Sequence, residues 1–212
     1  MWRSEARPAR ALGAAALVAA LLAAGTAAGA DGKALYAACV PCHGARGEGV
    51  PATGAPNIAG TAAWYLERQL GDFAAGRRGA QPGDTYGATM KSGSAVLSSD
   101  RDRAAVAAYV ASLPRTHATV AGTVNDNGRN YFNAICSSCH GSNGLGNEPL
   151  GAPRLAGLPA AYLARQLAAF QSGQRGARTG DRLGAQMRAI TAMLPDARTA
   201  QDVIAYAASL QP

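Results

Sequence analysis

The sequence predicts an all-α protein built from two tandem copies of one small domain. Three observations carry this. The chain holds 26 Gly and only three Phe among 212 residues and lacks β-branched alternation, a composition that favours helices joined by long loops over sheets. Apolar residues recur at helical spacing. And the chain repeats itself: Cys39 and Cys136 stand 97 residues apart, and at that offset 39–113 aligns without a gap on 136–210.

The repeat is dense. Gly54-Ala55-Pro56 matches Gly151-Ala152-Pro153, and Ala59-Gly60 matches Ala156-Gly157. Tyr65-Leu66 and Arg68-Gln69-Leu70 match Tyr162-Leu163 and Arg165-Gln166-Leu167. Phe73, Gly76, Arg78 and Gly79 match Phe170, Gly173, Arg175 and Gly176. An ungapped duplication of this length implies two domains of one fold, 31–114 and 128–212, joined by a linker over 115–127 rich in Thr, Gly and Asn. His117 has no counterpart and reads as a linker surface residue.

Each half reads in the same order. A short helix leads into the first cysteine (32–39 and 129–136), and a Gly/Pro-rich loop follows the histidine (44–60 and 141–157). A helix over 62–75 and 160–172 carries Tyr65, Leu66, Leu70 and Phe73 on one face. Gly76 and Gly173 stand at its expected stop. A last helix covers 99–113 and 196–210, with Ser98 or Ser99 as N-cap and Asp100 and Asp102 in the first turn.

Residues 1–30 read as an export signal: Arg3, Arg7 and Arg10, then an apolar run over 11–24 too short to span a bilayer comfortably, then Ala28-Gly29-Ala30 before Asp31. An uncleaved membrane anchor is the competing reading. The mature protein is expected to be periplasmic, soluble or peripherally attached to the membrane. The formal charge of +7 contains three Arg and one Glu from this segment, which leaves +5 without it. No basic run interleaves with aromatics, so nucleic acid is not an expected partner.

The four cysteines stand in Cys39-Val40-Pro41-Cys42-His43 and Cys136-Ser137-Ser138-Cys139-His140. Two thiols separated by two residues can add to two vinyl groups on one edge of a haem, and the adjacent imidazole can reach the iron. This spacing is therefore a c-type haem attachment motif. Plain disulfides leave both histidines unexplained. A thioredoxin-like pair lacks its βαβ context, and a structural zinc site needs four ligands brought together. Two covalent haem c groups are expected, and their propionates would cancel most of the remaining positive charge.

Outside the motifs, ligands for a sixth iron position are few. The chain after the leader has three Met: Met90, Met187 and Met193. Met90 and Met187 share the 97-residue offset, each 47 residues after its motif histidine, so they are the expected axial partners of His43 and His140. Met193 aligns with Val96 and reads as an apolar packing residue. His/Met ligation raises the potential and leaves no open iron position, which points to electron transfer rather than catalysis.

At these residues the chain resembles the dihaem class I cytochromes c of the cytochrome c-four type, over essentially all of the chain after the leader. The resemblance rests on the paired motifs, Gly-Ala-Pro followed by Ala-Gly, Tyr-Leu-x-Arg-Gln-Leu-x-x-Phe-x-x-Gly-x-Arg, the repeated Met and the closing Ala-Tyr-x-Ala-Ser-Leu. It implies two small all-α cytochrome domains packed about a pseudo-twofold axis. It implies that the Pro56 and Pro153 carbonyls support the axial histidines. Arg78 and Arg175 are candidates to pair with haem propionates, and Tyr65 and Tyr162 are expected to pack at the haem or core. The role implied is a periplasmic shuttle, with a membrane respiratory complex or dehydrogenase as donor and a terminal oxidase or other redox protein as acceptor. A dihaem subunit held permanently by a catalytic dehydrogenase is the alternative. A dihaem peroxidase or thiosulfate-oxidising enzyme would need an open or unusually ligated iron. Gly49-Val50-Pro51 faces Gly146-Asn147-Glu148, and Asn57 faces Arg154, so two unequal haem potentials are expected.

Overall fold

The structure is a computed structural model that describes Met1, residues 31–116 and residues 123–211. The expected leader and His117 lie outside the described residues. Each half folds as five helices. The first has α1 Gly32–Tyr36, α2 Val40–His43, α3 Ala63–Ala74, α4 Thr85–Ser94 and α5 Asp100–Ser112. The second has α6 Asp126–Tyr131, α7 Ser137–His140, α8 Ala160–Gln171, α9 Arg182–Thr191 and α10 Ala197–Ser209. Among the described residues, β pairing is confined to two isolated bridges at equivalent places, Val50 with Ala55 and Asn147 with Ala152.

Local chemistry explains the boundaries. Ser99 is the N-cap of α5, and with Asp102 it forms a reciprocal capping box. Gly76 and Gly173, just past α3 and α8, have φ of 68° and 77°, a conformation glycine adopts without steric penalty. Helices α4 and α9 were not expected from the sequence. Their start comes from Asp84 and Asp181, whose carboxylates accept from the Gly87 and Gly184 amides.

One core forms in each half where the first and last helices cross. Tyr36, Leu70, Leu97, Val106 and Val110 make the first; Phe132, Leu163, Val203, Ala207 and Ala208 make the second. Tyr36 packs on Tyr109 at 5.4 Å between ring centroids, and Phe132 packs on Tyr206 at 5.3 Å. The crossings need glycine: a Cβ on Gly32 would meet the Ala105 carbonyl oxygen at 2.1 Å, and one on Gly128 the Asp202 carbonyl oxygen at 2.1 Å.

These pairs correct the register of the expected leading helix. Gly32 corresponds to Gly128 and Tyr36 to Phe132, an offset one residue short of that of the cysteines. The second half thus carries one extra residue between its aromatic anchor and Cys136. The chain absorbs it as a π-helical segment, Phe132–Cys136, so that both the anchor and the cysteine keep their places. A second correction concerns Met193. It is 60% exposed, as its counterpart Val96 is 57% exposed, so neither packs in a core.

The halves pack by reciprocal contacts. Arg68 Nη2 donates to the Gly151 carbonyl at 2.9 Å, and Arg165 Nη2 donates to the Gly54 carbonyl. Arg78 donates to Gln69 Oε1 at 2.6 Å and across to Gln166 Oε1 at 3.1 Å. Arg175 donates to Gln166 Oε1 at 2.6 Å and across to Gln69 Oε1 at 3.0 Å. Equivalent residues exchange equivalent bonds, which is the signature of a twofold interface.

Two outcomes test this packing. Phe132 is fully buried, so Phe132→Ala should destabilise the second half by about 3–5 kcal/mol in denaturant titration. Asp202 accepts from Asn127, Asn125 and Arg198, which hold its carboxyl below the usual range; Ala105 stands in its place in the first half. A depressed carboxyl stabilises fully above its unfolded pKa of about 3.9 and loses that contribution as pH falls through the depressed value. Wild type should therefore exceed Asp202→Asn in stability at pH 7, with the gap closing in acid as pH falls through and below the usual carboxylate range; a gap that persists at the acid end would refute the assignment.

Candidate functional site

Both C-x-x-C-H motifs end in a helix of one turn, α2 or α7, that closes on the histidine. Cys39 and Cys136 are half-buried, Cys42 and Cys139 are exposed, and no disulfide joins any of the four. Burial pushes up the Cys39 and Cys136 thiols, the latter to about 11.

The loop after each histidine folds back over it. The Gly49 amide donates to the His43 carbonyl at 2.8 Å, and the Gly146 amide to the His140 carbonyl at 2.8 Å. The bridges Val50–Ala55 and Asn147–Ala152 then reverse the chain. This returns a proline carbonyl to the imidazole: Pro56 O lies 3.1 Å from His43 Nδ1, and Pro153 O lies 2.7 Å from His140 Nδ1. A carbonyl can only accept, so Nδ1 carries the proton and Nε2 keeps its lone pair. Both rings are buried, and burial lowers their pKa, which keeps them neutral.

Beside these rings opens one continuous, mainly apolar cavity of about 590 Å³ shared by both halves. Its wall includes Cys39, Cys42, His43, Pro56, Arg78 and Met90 from the first half. From the second half it includes Cys136, Cys139, His140, Pro153, Arg175 and Met187. Every site residue expected from the sequence thus lies on this wall. Tyr65 and Tyr162 line it too. Burial raises the Tyr162 phenol pKa, with Arg78 and Arg175 pulling the other way. Met90 and Met187 reach it from α4 and α9, the helices not foreseen.

The arginines are more embedded than expected. Arg78 and Arg175 are buried, and their guanidiniums stack on Phe73 and Phe170 at 4.4 and 4.3 Å. Their Nη groups bond the two glutamines, while Nε of each is buried with no partner. Burial and the opposing Arg175 charge lower the Arg78 pKa. Gln69 and Gln166 are the residues that sequence reasoning left without a role. The available signal was a polar residue repeated on the apolar face of a helix.

This donor set fits a haem. Each half offers two thiols at the rim of an apolar slot, a neutral imidazole lone pair and a thioether. An orphaned buried Nε–H on each side can meet a carboxylate. Among the described residues, no group of three or more His, Cys, Asp or Glu could hold a bare metal ion.

Comparison with known proteins agrees. The cytochrome c family model matches twice, at residues 29–114 and 126–211. Cytochrome c4 of Azotobacter vinelandii is 35% identical over 198 residues, covering 89% of this chain and 90% of that protein. The thiosulfate dehydrogenase electron acceptor of Stutzerimonas stutzeri is 35% identical over 196 residues, covering 82% and 86%. The crystal structure of reduced recombinant cytochrome c4 from Pseudomonas stutzeri superposes with a TM-score of 0.65 at 31% identity, covering 85% of this chain and 95% of that one.

Replacing both thiols of one motif, Cys136→Ala with Cys139→Ala, should halve the porphyrin that survives a denaturing gel. Retention of both groups would show attachment elsewhere.

Proposed function

The chain belongs to the cytochrome c family, with two covalent haem c groups and a role in electron transfer, and we propose that it is a periplasmic carrier whose two haems are both His/Met-ligated. Cys39 and Cys42 hold the first haem by thioether bonds, and Cys136 and Cys139 the second. His43 and His140 would offer Nε2 to the iron of their own haem, and Met90 and Met187 would each offer a thioether sulfur to it. When bound, such a group takes up and releases one electron at a potential raised by the thioether sulfur.

The chain's own residues do the rest. The Pro56 and Pro153 carbonyls fix ring orientation and ligand basicity. Apolar walls from Leu70, Val106 and Leu163 exclude water. The unpartnered Nε–H groups of Arg78 and Arg175 would be available to haem propionates, so that the glutamine-linked arginines would neutralise charge that the apolar slot would otherwise disfavour. The observation that carries this reading is that each half places one methionine, at equivalent positions of α4 and α9, on the same cavity wall as its buried, correctly protonated histidine.

The export signal read in residues 1–30 supports the periplasm, and among the described residues no helix is long and apolar enough to cross a membrane. The similarity to a thiosulfate dehydrogenase electron acceptor favours a dehydrogenase as donor. A membrane respiratory complex is the other donor class, and a terminal oxidase or another redox protein is the acceptor class.

Optical and magnetic spectra of the pure protein test the ligation. Two low-spin haems are expected, and Met90→Ala or Met187→Ala should each convert one of them to a high-spin or newly ligated form while leaving the other unchanged. Unaltered low-spin spectra in both variants would sink the reading. Gel filtration should show a monomer; a stable complex with a dehydrogenase would favour the bound-subunit alternative.

A further inference from the structure

Duplication makes it possible to ask which charges around the two haem sites cancel by symmetry. Most of the charged side chains on the cavity wall come in equivalent pairs: Arg68 with Arg165, Arg78 with Arg175, Asp84 with Asp181. Two do not. Asp72 stands where the second half has Ala169, and Arg154 stands where the first half has Asn57.

Both are held in place by the fold. Asp72 is 6% exposed and accepts from Gln69 Nε2 at 3.2 Å and from Arg77 Nε at 2.6 Å. Asp72 lines the cavity and Arg77 does not, and Arg77 keeps a third of its side chain in solvent. The pair thus turns its negative end inward, while its positive end is screened by water. The second half has neither member, because Gln174 replaces Arg77. The Asp72 contact also fixes the Gln69 amide with nitrogen toward the carboxylate, so its oxygen faces both arginines.

Arg154 follows Pro153, whose carbonyl accepts from His140. Its Nη1 is buried with no partner in the protein, so no carboxylate of the chain itself neutralises that end. Arg115 lies near enough to oppose its charge rather than offset it. The other contrast noted in the sequence, Glu148 against Pro51, lies on exposed residues away from the cavity wall and is screened by solvent.

The two unmatched charges act in the same sense. Asp72 belongs to the wall that the first half contributes and Arg154 to the wall that the second half contributes; a carboxylate on the one disfavours an added electron at that half's site, and a guanidinium on the other favours it at its own. We infer that Asp72 and Arg154 are the positioning residues that split the two haem potentials, Asp72 lowering that of the first half and Arg154 raising that of the second, so that a single electron rests on the second haem. This rests on both halves holding a low-spin haem, as proposed above.

The test is a potentiometric titration of the full-length, doubly loaded protein, using only variants whose spectra stay low-spin in both haems. Wild type should resolve two potentials. Asp72→Asn should raise the lower one and Arg154→Asn should lower the upper one. Each shift should be about threefold to tenfold in the reduction equilibrium constant, tenfold being about 59 mV for one electron. Ala169→Asp, which places the missing carboxylate in the second half, should also lower the upper potential, and it decides the matter should Asp72→Asn fail to load haem. The double variant Asp72→Asn with Arg154→Asn should bring the two potentials within about threefold. The inference is overturned if Asp72→Asn raises the upper potential, or if the single variants leave the gap unchanged. A wild type lacking two low-spin haems would instead overturn the functional reading itself.

Discussion

Both haem sites depend on one hydrogen bond, from a buried imidazole Nδ1 to a proline carbonyl 13 residues further on. An imidazole in an apolar slot cannot leave its N–H unpaired without a penalty of about 1–3 kcal/mol. Water is largely excluded, so the chain must supply the acceptor. Doing so also selects the tautomer, because a ring that donates from Nδ1 keeps its lone pair on Nε2. The loop between His and Pro exists to close this contact, and its glycines follow from that. Gly49 sits at φ 83° with the Pro56 backbone so near that a Cβ would approach it at 2.7 Å, and Gly146 repeats the arrangement at φ 87° against Pro153.

The same apolar slot dictates how the halves join. A haem brings carboxylates, and carboxylates in a dry cavity need cations. Two arginines buried close together repel each other and need acceptors of their own. The glutamines supply these, each accepting from one arginine of its own half and one of the other. On the proposed reading, the domain interface is therefore also the charge-handling layer of the two sites. Arg68 and Arg165 extend it by bonding the carbonyls of Gly151 and Gly54, the glycines that open the Gly-Ala-Pro turns. The loop that carries the proline acceptor of one half is thereby braced by the other.

The sequence revealed most about chemistry that is local in the chain. Covalent attachment needs two thiols and an imidazole within five residues, so the motifs were legible as written. The proposed sixth ligand was legible because methionine is scarce and the duplication placed two copies in register. The helices that carry those methionines were not. Thr85–Ser94 and Arg182–Thr191 hold glycines and polar residues, and their starts depend on an aspartate cap and a glycine small enough to admit it. The glutamine-arginine ring was also hidden, since it forms only when two halves meet and no periodicity reports a contact between domains. The alignment that exposed the duplication obscured its one irregularity. Because it was anchored on the cysteines, it gave no sign of the extra residue before Cys136, which the structure shows as a π-helical segment that keeps Phe132 in its core. Met193 was misjudged because burial was inferred from residue type at a position that faces solvent in both copies.

Duplication sets a physical limit on how two such sites can differ. Backbone, ligands and cavity wall are constrained alike in both halves by the haem they enclose, so divergence is cheap only where no such contact is made. Surface positions drift freely, and their charges are screened over about a Debye length. A charge at the cavity wall is different, because it acts through a medium of low dielectric and must be held by partners that justify its burial. Asp72 meets that condition through Gln69 and Arg77. Arg154 meets it only in part, with one nitrogen left unpaired beside the axial support. A buried nitrogen left short of a partner lowers stability. The position of Arg154 directly after the proline that accepts from His140 puts that uncompensated charge where it acts on the second site, which is the place where a cost in stability can be exchanged for control of a potential.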